Sequence, residues 1–139
     1  MRVIFDTNIL ISYLLIPQGK SPINTIVEAA VLGVFTLLVS ADLLEELKCR
    51  IATKPYLAQR IEPARVELLV DALLANAETI PRIDEPFPEV GRDRKDDYLI
   101  AYGHVGQADY LVTGDEDLLL LKEVGSLKIV TPRQFADLL

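Results

Sequence analysis

Apolar residues fall into short continuous runs separated by helix-length stretches of mixed character. Val3-Ile4-Phe5 reads as a first buried strand, and Phe35 to Val39 as a second, stopping at Ser40, a residue suited to cap the next helix. On that helix Leu43, Leu44, Leu47 and Ile51 recur at helical spacing and form one face. Asn8 to Leu15 and Ile23 to Leu32 read as earlier helices, divided by the breaker run Pro17-Gln18-Gly19-Lys20-Ser21-Pro22. Pro63 suits the first turn of a helix on which Val66, Leu69, Val70 and Leu73 line up. A short strand over Ala77 to Ile80 and a polar, proline-rich loop from Pro81 to Lys95 follow. The pattern then predicts a helix over Asp96 to Val105, a strand at Tyr110-Leu111-Val112 and a helix over Glu116 to Val124. A last strand at Leu127 to Val130 and a terminal helix opened by Pro132 complete it. Strands apolar at every position suit a parallel sheet covered on both faces. The repeated strand–helix order predicts an α/β doubly wound architecture, one domain over residues 1–139, with no internal repeat.

Composition narrows the chemistry. A chain of 139 residues, half apolar and a quarter charged, buries a core without disulfides or a structural metal. The single Cys49 makes no internal disulfide and the single His104 supplies no zinc site by itself. No apolar run has the length of a bilayer span, and the first residues lack the plan of a signal peptide, so a cytoplasmic location is expected, with no membrane partner. The net charge of −7 argues against a broad basic surface for nucleic acid. Metal ions can nevertheless supply positive charge locally, so a metallo-nuclease stays open.

The carboxylates fall at suggestive places. Asp6 directly follows the first strand, and Asp115 follows the Tyr110-Leu111-Val112 strand. Ligands of open parallel sheets bind in the crevice beyond the strands' carboxyl ends. At ~100° per residue, Glu46 lies nearer the apolar border of its helix than Glu45. Asp96 shares a face with Leu99, Ile100 and Gly103, whereas Asp97 is expected to point aside. Two such carboxylates ~4 Å apart repel by ~4 kcal/mol at a surface-like effective dielectric near 20. A divalent ion relieves this, and oxygen donors without His or Cys suit Mg²⁺ or Mn²⁺ better than Zn²⁺. Taken one at a time, each acid has a plainer role as turn former, helix cap or solvated side chain. Asp93, Asp97, Glu116 and Asp117 are open to the same plain reading.

Four segments, in order and over nearly the whole chain, resemble the PIN-domain family. Val3-Ile4-Phe5-Asp6-Thr7-Asn8 is similar to its opening signature, and Ser40 to Ile51, with Glu46-Leu47 inside, to the helix carrying its second acid. Arg92-Asp93-Arg94-Lys95-Asp96-Asp97 before Leu99-Ile100-Ala101 is similar to the third motif, and Ala108 to Leu119 to the fourth. The resemblance implies a PIN-like (Rossmann-like) parallel sheet flanked by helices on both faces. It also implies an endoribonuclease that cuts single-stranded RNA with Mg²⁺ or Mn²⁺. Many members are toxins of toxin–antitoxin pairs (VapC-like), so it implies an antitoxin partner and a homodimer. Carried over, Asp6, Glu46, Asp96 and Asp115 are catalytic and metal-binding, with Asn8 and Thr113 orienting them. Sliding the third motif by one residue elects Asp97 in place of Asp96. Arg94 stands where a proline is common, and Gly103 where alanine is usual, which loosens that helix by up to ~1 kcal/mol.

Other residues have simple expectations. Cys49 is a helix-side residue, and His104 partly buried packing. Arg50, Lys54, Arg60 and Arg65 form a solvated face or touch RNA phosphates. The 17–22 run is a loop or a lip over the site. Two other functions compete: a catalytically silent PIN-like scaffold that binds RNA or a partner protein, and phosphoryl transfer through an aspartyl intermediate. Asp6-Thr7-Asn8 lacks the second Asp that the latter requires, and no glycine-rich phosphate loop is present.

Overall fold

The computed structural model describes residues 1–83 and 94–139, and the side chains of all of these except 94–96. The elements in chain order are β1 (Arg2–Phe5), α1 (Thr7–Leu15), α2 (Pro22–Val31), β2 (Thr36–Ser40), α3 (Ala41–Thr53), α4 (Pro55–Arg60) and α5 (Pro63–Leu74). They continue as β3 (Glu78–Ile80), α6 (Arg94–Val105), β4 (Tyr110–Val112), α7 (Glu116–Leu119), β5 (Glu123–Val124), β6 (Leu127–Val130) and α8 (Pro132–Ala136). Among the described residues six strands form one sheet in the order β3-β2-β1-β4-β6-β5, parallel throughout except for β5 against β6. The expected α/β, PIN-like sheet is therefore present.

The strand pattern follows from burial on both faces. Val3, Ile4 and Phe5 are all buried, as are Leu37, Leu38 and Val39. On one face Ile4 and Leu38, paired in register, approach α6; on the other Phe5 meets an aromatic cluster. In that cluster Phe35 and Phe135 pack edge to face at 5.0 Å, and Tyr110 lies 5.8 Å from Phe135. Phe135 comes from α8, whose start is fixed by Pro132 and a reciprocal Thr131–Gln134 capping box.

Glycine lets α6 sit close on the sheet. A Cβ at Gly103 would fall 3.0 Å from Leu127 Cδ2, and one at Gly106 would fall 2.8 Å from Leu38 Cδ1 and 2.9 Å from Ile80 Cδ1. Gly103 thus permits a close approach of helix and sheet that a Cβ would crowd. The Gly106 carbonyl also accepts two hydrogen bonds from the Arg2 guanidinium, tying the end of α6 to the start of β1.

Two expectations need correction. The helix predicted over Glu116 to Val124 stops at Leu119 and gives way to a β5–β6 hairpin. Lys122 and Gly125 both adopt positive φ, and Gly125-Ser126 forms a two-residue turn between the paired Val124 and Leu127. The helix α4 was not expected; Pro55 opens it at the first position after Lys54. The 17–22 run is pinned at its ends, since the Asn24 side chain donates to the Ile16 carbonyl at 2.7 Å and meets Ser21 Oγ at 2.6 Å. The proline-rich loop expected over Pro81 to Lys95 lies mostly outside the described residues.

Phe135 is fully buried, so Phe135→Ala should destabilise the chain by about 3–5 kcal/mol in urea unfolding. A loss below about 1 kcal/mol would show that α8 is not part of the core.

Candidate active site

Parallel strands in register end side by side, and here β2, β1 and β4 are neighbours. The sheet order reverses between β1 and β4, so the crevice beyond their carboxyl ends is a topological switch point. Asp6 leaves β1 there, and its backbone N–H donates to the Val112 carbonyl at 2.9 Å, closing the gap to β4. Its side chain is nearly buried and caps α1: Oδ1 accepts the Asn8 N–H at 3.4 Å. Its Oδ2 accepts a 2.7 Å hydrogen bond from the hydroxyl of Thr113, a fully buried residue.

The Thr113 hydroxyl also accepts the Asp115 backbone N–H at 3.0 Å. One hydroxyl, donating to one side and accepting from the other, joins the two strand ends. Asp115 is half-buried and caps α7, with Oδ1 accepting the Asp117 N–H at 2.9 Å.

Glu46 reaches the same region from α3. That helix starts where β2 ends, with Ser40 Oγ accepting the Leu43 N–H at 3.1 Å as its cap. Leu43, Leu47 and Ile51 bury its inner face, leaving Glu46 half-buried and Glu45 exposed. Glu46 Oε2 accepts the hydroxyl of the buried Thr7 at 3.0 Å, and Oε1 lies 4.0 Å from Arg50 Nη1. Glu45 is paired instead with Arg82, at 3.2 Å.

The helix α6 borders the cluster through Tyr98, whose hydroxyl hydrogen-bonds Ser40 Oγ at 3.2 Å. Burial raises the pKa of the Tyr98 phenol well above its ordinary value, outweighing the hydrogen bond to Ser40; Asp42, Tyr102 and Glu46 add repulsion against the phenolate. Tyr102 packs edge to face on Tyr98 at 4.9 Å, donates to Asp42 Oδ2 at 2.6 Å and accepts the Ile83 N–H at 3.1 Å. Burial and the bond to Asp42 raise its pKa too. Arg82 completes this satellite at 3.2 Å from Asp42.

The structure thus links Asp6 to Asp115 through Thr113, and Glu46 to Thr7, the neighbour of Asp6. The side chain of Asp96 lies outside the described residues. Asp97 does not point aside as expected: it is buried, because α6 is covered almost all round from Asp97 to Gly103, so an apolar face does not tell inward from outward positions. Asn8 takes part through its backbone, its side chain being exposed. His104 is exposed and not partly buried, and Cys49 is exposed as well. Thr7 and Tyr98 are the members that sequence patterns passed over, and Ser40 was expected only as a helix cap. Thr7 carried a usable signal, since a hydroxyl beside Asp6 at a helix start is close to anything Asp6 approaches.

The donor set fits a hard divalent cation. It consists of carboxylate oxygens, and among the described residues no Lys or Arg is ion-paired with Asp6 or Asp115. Among the described residues no three acidic, His or Cys side chains are by themselves grouped closely enough to hold a metal ion. A cation held there would need a ligand beyond Asp6, Glu46 and Asp115, or a closer approach of these three. The apolar hollow of about 250 Å³ between α3, α4 and α5 is lined by Ile51, Ala58, Ile61 and Val66. Its one carboxylate, Glu67, is ion-paired with Lys48 at 3.1 Å.

A mostly parallel sheet with acids at its switch point defines an open α/β protein with a crevice suited to a ligand, and comparison narrows the class. The PIN domain model matches residues 2–117, and the chain belongs to the PIN-domain family. PIN domains are generally nucleases, hydrolases that usually work with a divalent metal. A comparison with curated proteins gave no match. Among the described residues no helix is long and apolar enough to cross a membrane.

Because both phenols ionise less readily folded than unfolded, their contribution to stability is intact below the ordinary tyrosine pKa of about 10. It is lost as pH rises through the raised values. Urea unfolding followed from about pH 9 to 11.5 should show stability declining more steeply in the unsubstituted chain than in Tyr98→Phe. Equal slopes would contradict the assignment.

Proposed function

We propose that the protein is a divalent-metal-dependent endoribonuclease that hydrolyses phosphodiester bonds of single-stranded RNA. The observation that carries this reading is the hydrogen-bonded run of Asp6, Thr113 and Asp115, with Thr7 and Glu46 beside it, at the ends of three adjacent strands. Asp6, Glu46, Asp96 and Asp115 would hold Mg²⁺ or Mn²⁺, with Asp97 the alternative at the third position. When bound, the metal activates water and offsets charge on the leaving oxygen of an in-line displacement at phosphorus.

The chain's own groups set the stage. Thr113 and Thr7 hold carboxylates with neutral donors that leave their charge intact for a cation. Asp6 and Asp115 each commit one oxygen to a helix cap. On a chain of net charge −7, substrate phosphates are repelled unless that cation is present. Arg50, 4.0 Å from Glu46, would meet a phosphate of the substrate at the edge of the site.

The same proposal makes the protein a cytoplasmic toxin component, a homodimer restrained by an antitoxin. Supporting a protein partner, the cleft between α1, α2 and α5 carries the exposed Leu68 beside Tyr13, Val31 and Leu69.

Cleavage of single-stranded RNA with Mg²⁺ or Mn²⁺ should fall by about 10–100-fold or more in Asp6→Asn and in Asp115→Asn. Equal cleavage in all three proteins would remove these acids from the site. RNA association without cleavage in any of them would favour a silent binding scaffold.

A further inference from the structure

Thr7 stands in the Asp6-Thr7-Asn8 sequence that opens α1, yet its side chain serves another helix. The residue is 1% exposed, and its hydroxyl donates to Glu46 Oε2 across 39 positions of sequence. A helix start needs no such bond, because the cap of α1 is supplied by Asp6. The other oxygen, Glu46 Oε1, faces only the long 4.0 Å pairing with Arg50 among the described ion pairs.

We propose that Thr7 is a positioning residue: its buried hydroxyl locks Glu46 beside Asp6 and leaves Oε1 as the oxygen offered to a divalent cation. The inference rests on the reading of Glu46 as a metal ligand. Three observations support it. Glu has three side-chain torsions, and α3 by itself leaves the carboxylate of a half-buried residue free to swing to solvent. Thr7 has a β-branched side chain with a restricted rotamer, so its hydroxyl is a stiff anchor. Thr7 also follows Asp6 directly, so the anchor is tied covalently to the carboxylate that Thr113 fixes. The two hydroxyls thereby set Asp6 and Glu46 against a single stretch of backbone. A neutral donor suits the task, because a lysine or arginine would compete with the metal for the same charge.

The test is Mn²⁺ binding to the full chain, read by the electron paramagnetic resonance signal of free Mn²⁺, with circular dichroism confirming the fold of each variant. Thr7→Val keeps the shape and removes the donor, and should weaken Mn²⁺ binding by about 10-fold. Thr7→Ser, which keeps the hydroxyl, should bind like the unsubstituted chain. In a Glu46→Gln background Thr7→Val should cost nothing further, since the two act as one unit. Unchanged affinity in Thr7→Val, or the same loss with Gln at position 46, would overturn the role given to Thr7 while leaving the metal site standing. Failure of the unsubstituted chain to bind Mn²⁺ would overturn the metal reading itself, and this inference with it. If Thr7→Val does not fold, Thr7→Ser against Thr7→Ala decides, with equal affinities counting against the proposal.

Discussion

Carboxylates follow two adjacent parallel strands and ride on the helix after a third, and the charge they share is the constraint that organises the rest. Their positions are set by the backbone: β2, β1 and β4 run in register, so Asp6 and Asp115 leave the sheet at its switch point and α3 begins beside them. Nothing in sheet formation itself favours acids at that end, and like charges there repel the more the closer they are drawn. Among the described residues the opposing cations are few and peripheral. Arg50 touches Glu46 at long range, while Arg82 is drawn to Asp42 and Glu45. The core, with Ile4, Leu38 and Leu111 wholly buried, supplies the favourable free energy that holds such a site in place.

Hydroxyls take the place that cations hold in a structural ion-pair network. Thr113 donates to Asp6 and Thr7 donates to Glu46, each from a buried position. A hydroxyl lowers the cost of a partly buried carboxylate without cancelling its charge. The capping roles of Asp6 and Asp115 fit the same scheme. A carboxylate has about four acceptor sites, so a helix cap and a metal ligand are compatible duties of one side chain, even at Asp6, whose second oxygen accepts the Thr113 hydroxyl.

Much of this was legible in the sequence because it is local. Strand β1 and its trailing Asp6, the α3 face that separates Glu46 from Glu45, and the Tyr110–Val112 strand all follow from apolar runs and helical spacing. The errors arise where periodicity loses meaning. The Leu118 to Leu121 run looks helical, but Lys122 and Gly125 take left-handed backbone and turn the chain into a hairpin, a signal held by Gly125-Ser126. On α6 the buried surface extends almost all round, so the spacing that placed Asp97 aside misjudged it. The bonds from Thr7 to Glu46 and from Ser40 to Tyr98 join distant segments. No pattern within one element encodes them.

The central claim is that these strand ends form one cation site. It is tested most directly by adding substoichiometric Mn²⁺ to isotope-labelled protein and mapping which backbone amide signals are broadened by the paramagnetic ion. Broadening is expected to centre on residues 6–8, the Glu46 turn of α3 and residues 113–115, and to be reversed by a chelator. Broadening centred instead on the exposed acids of α5, Glu67 and Asp71, with the strand-end signals left sharp, would contradict it.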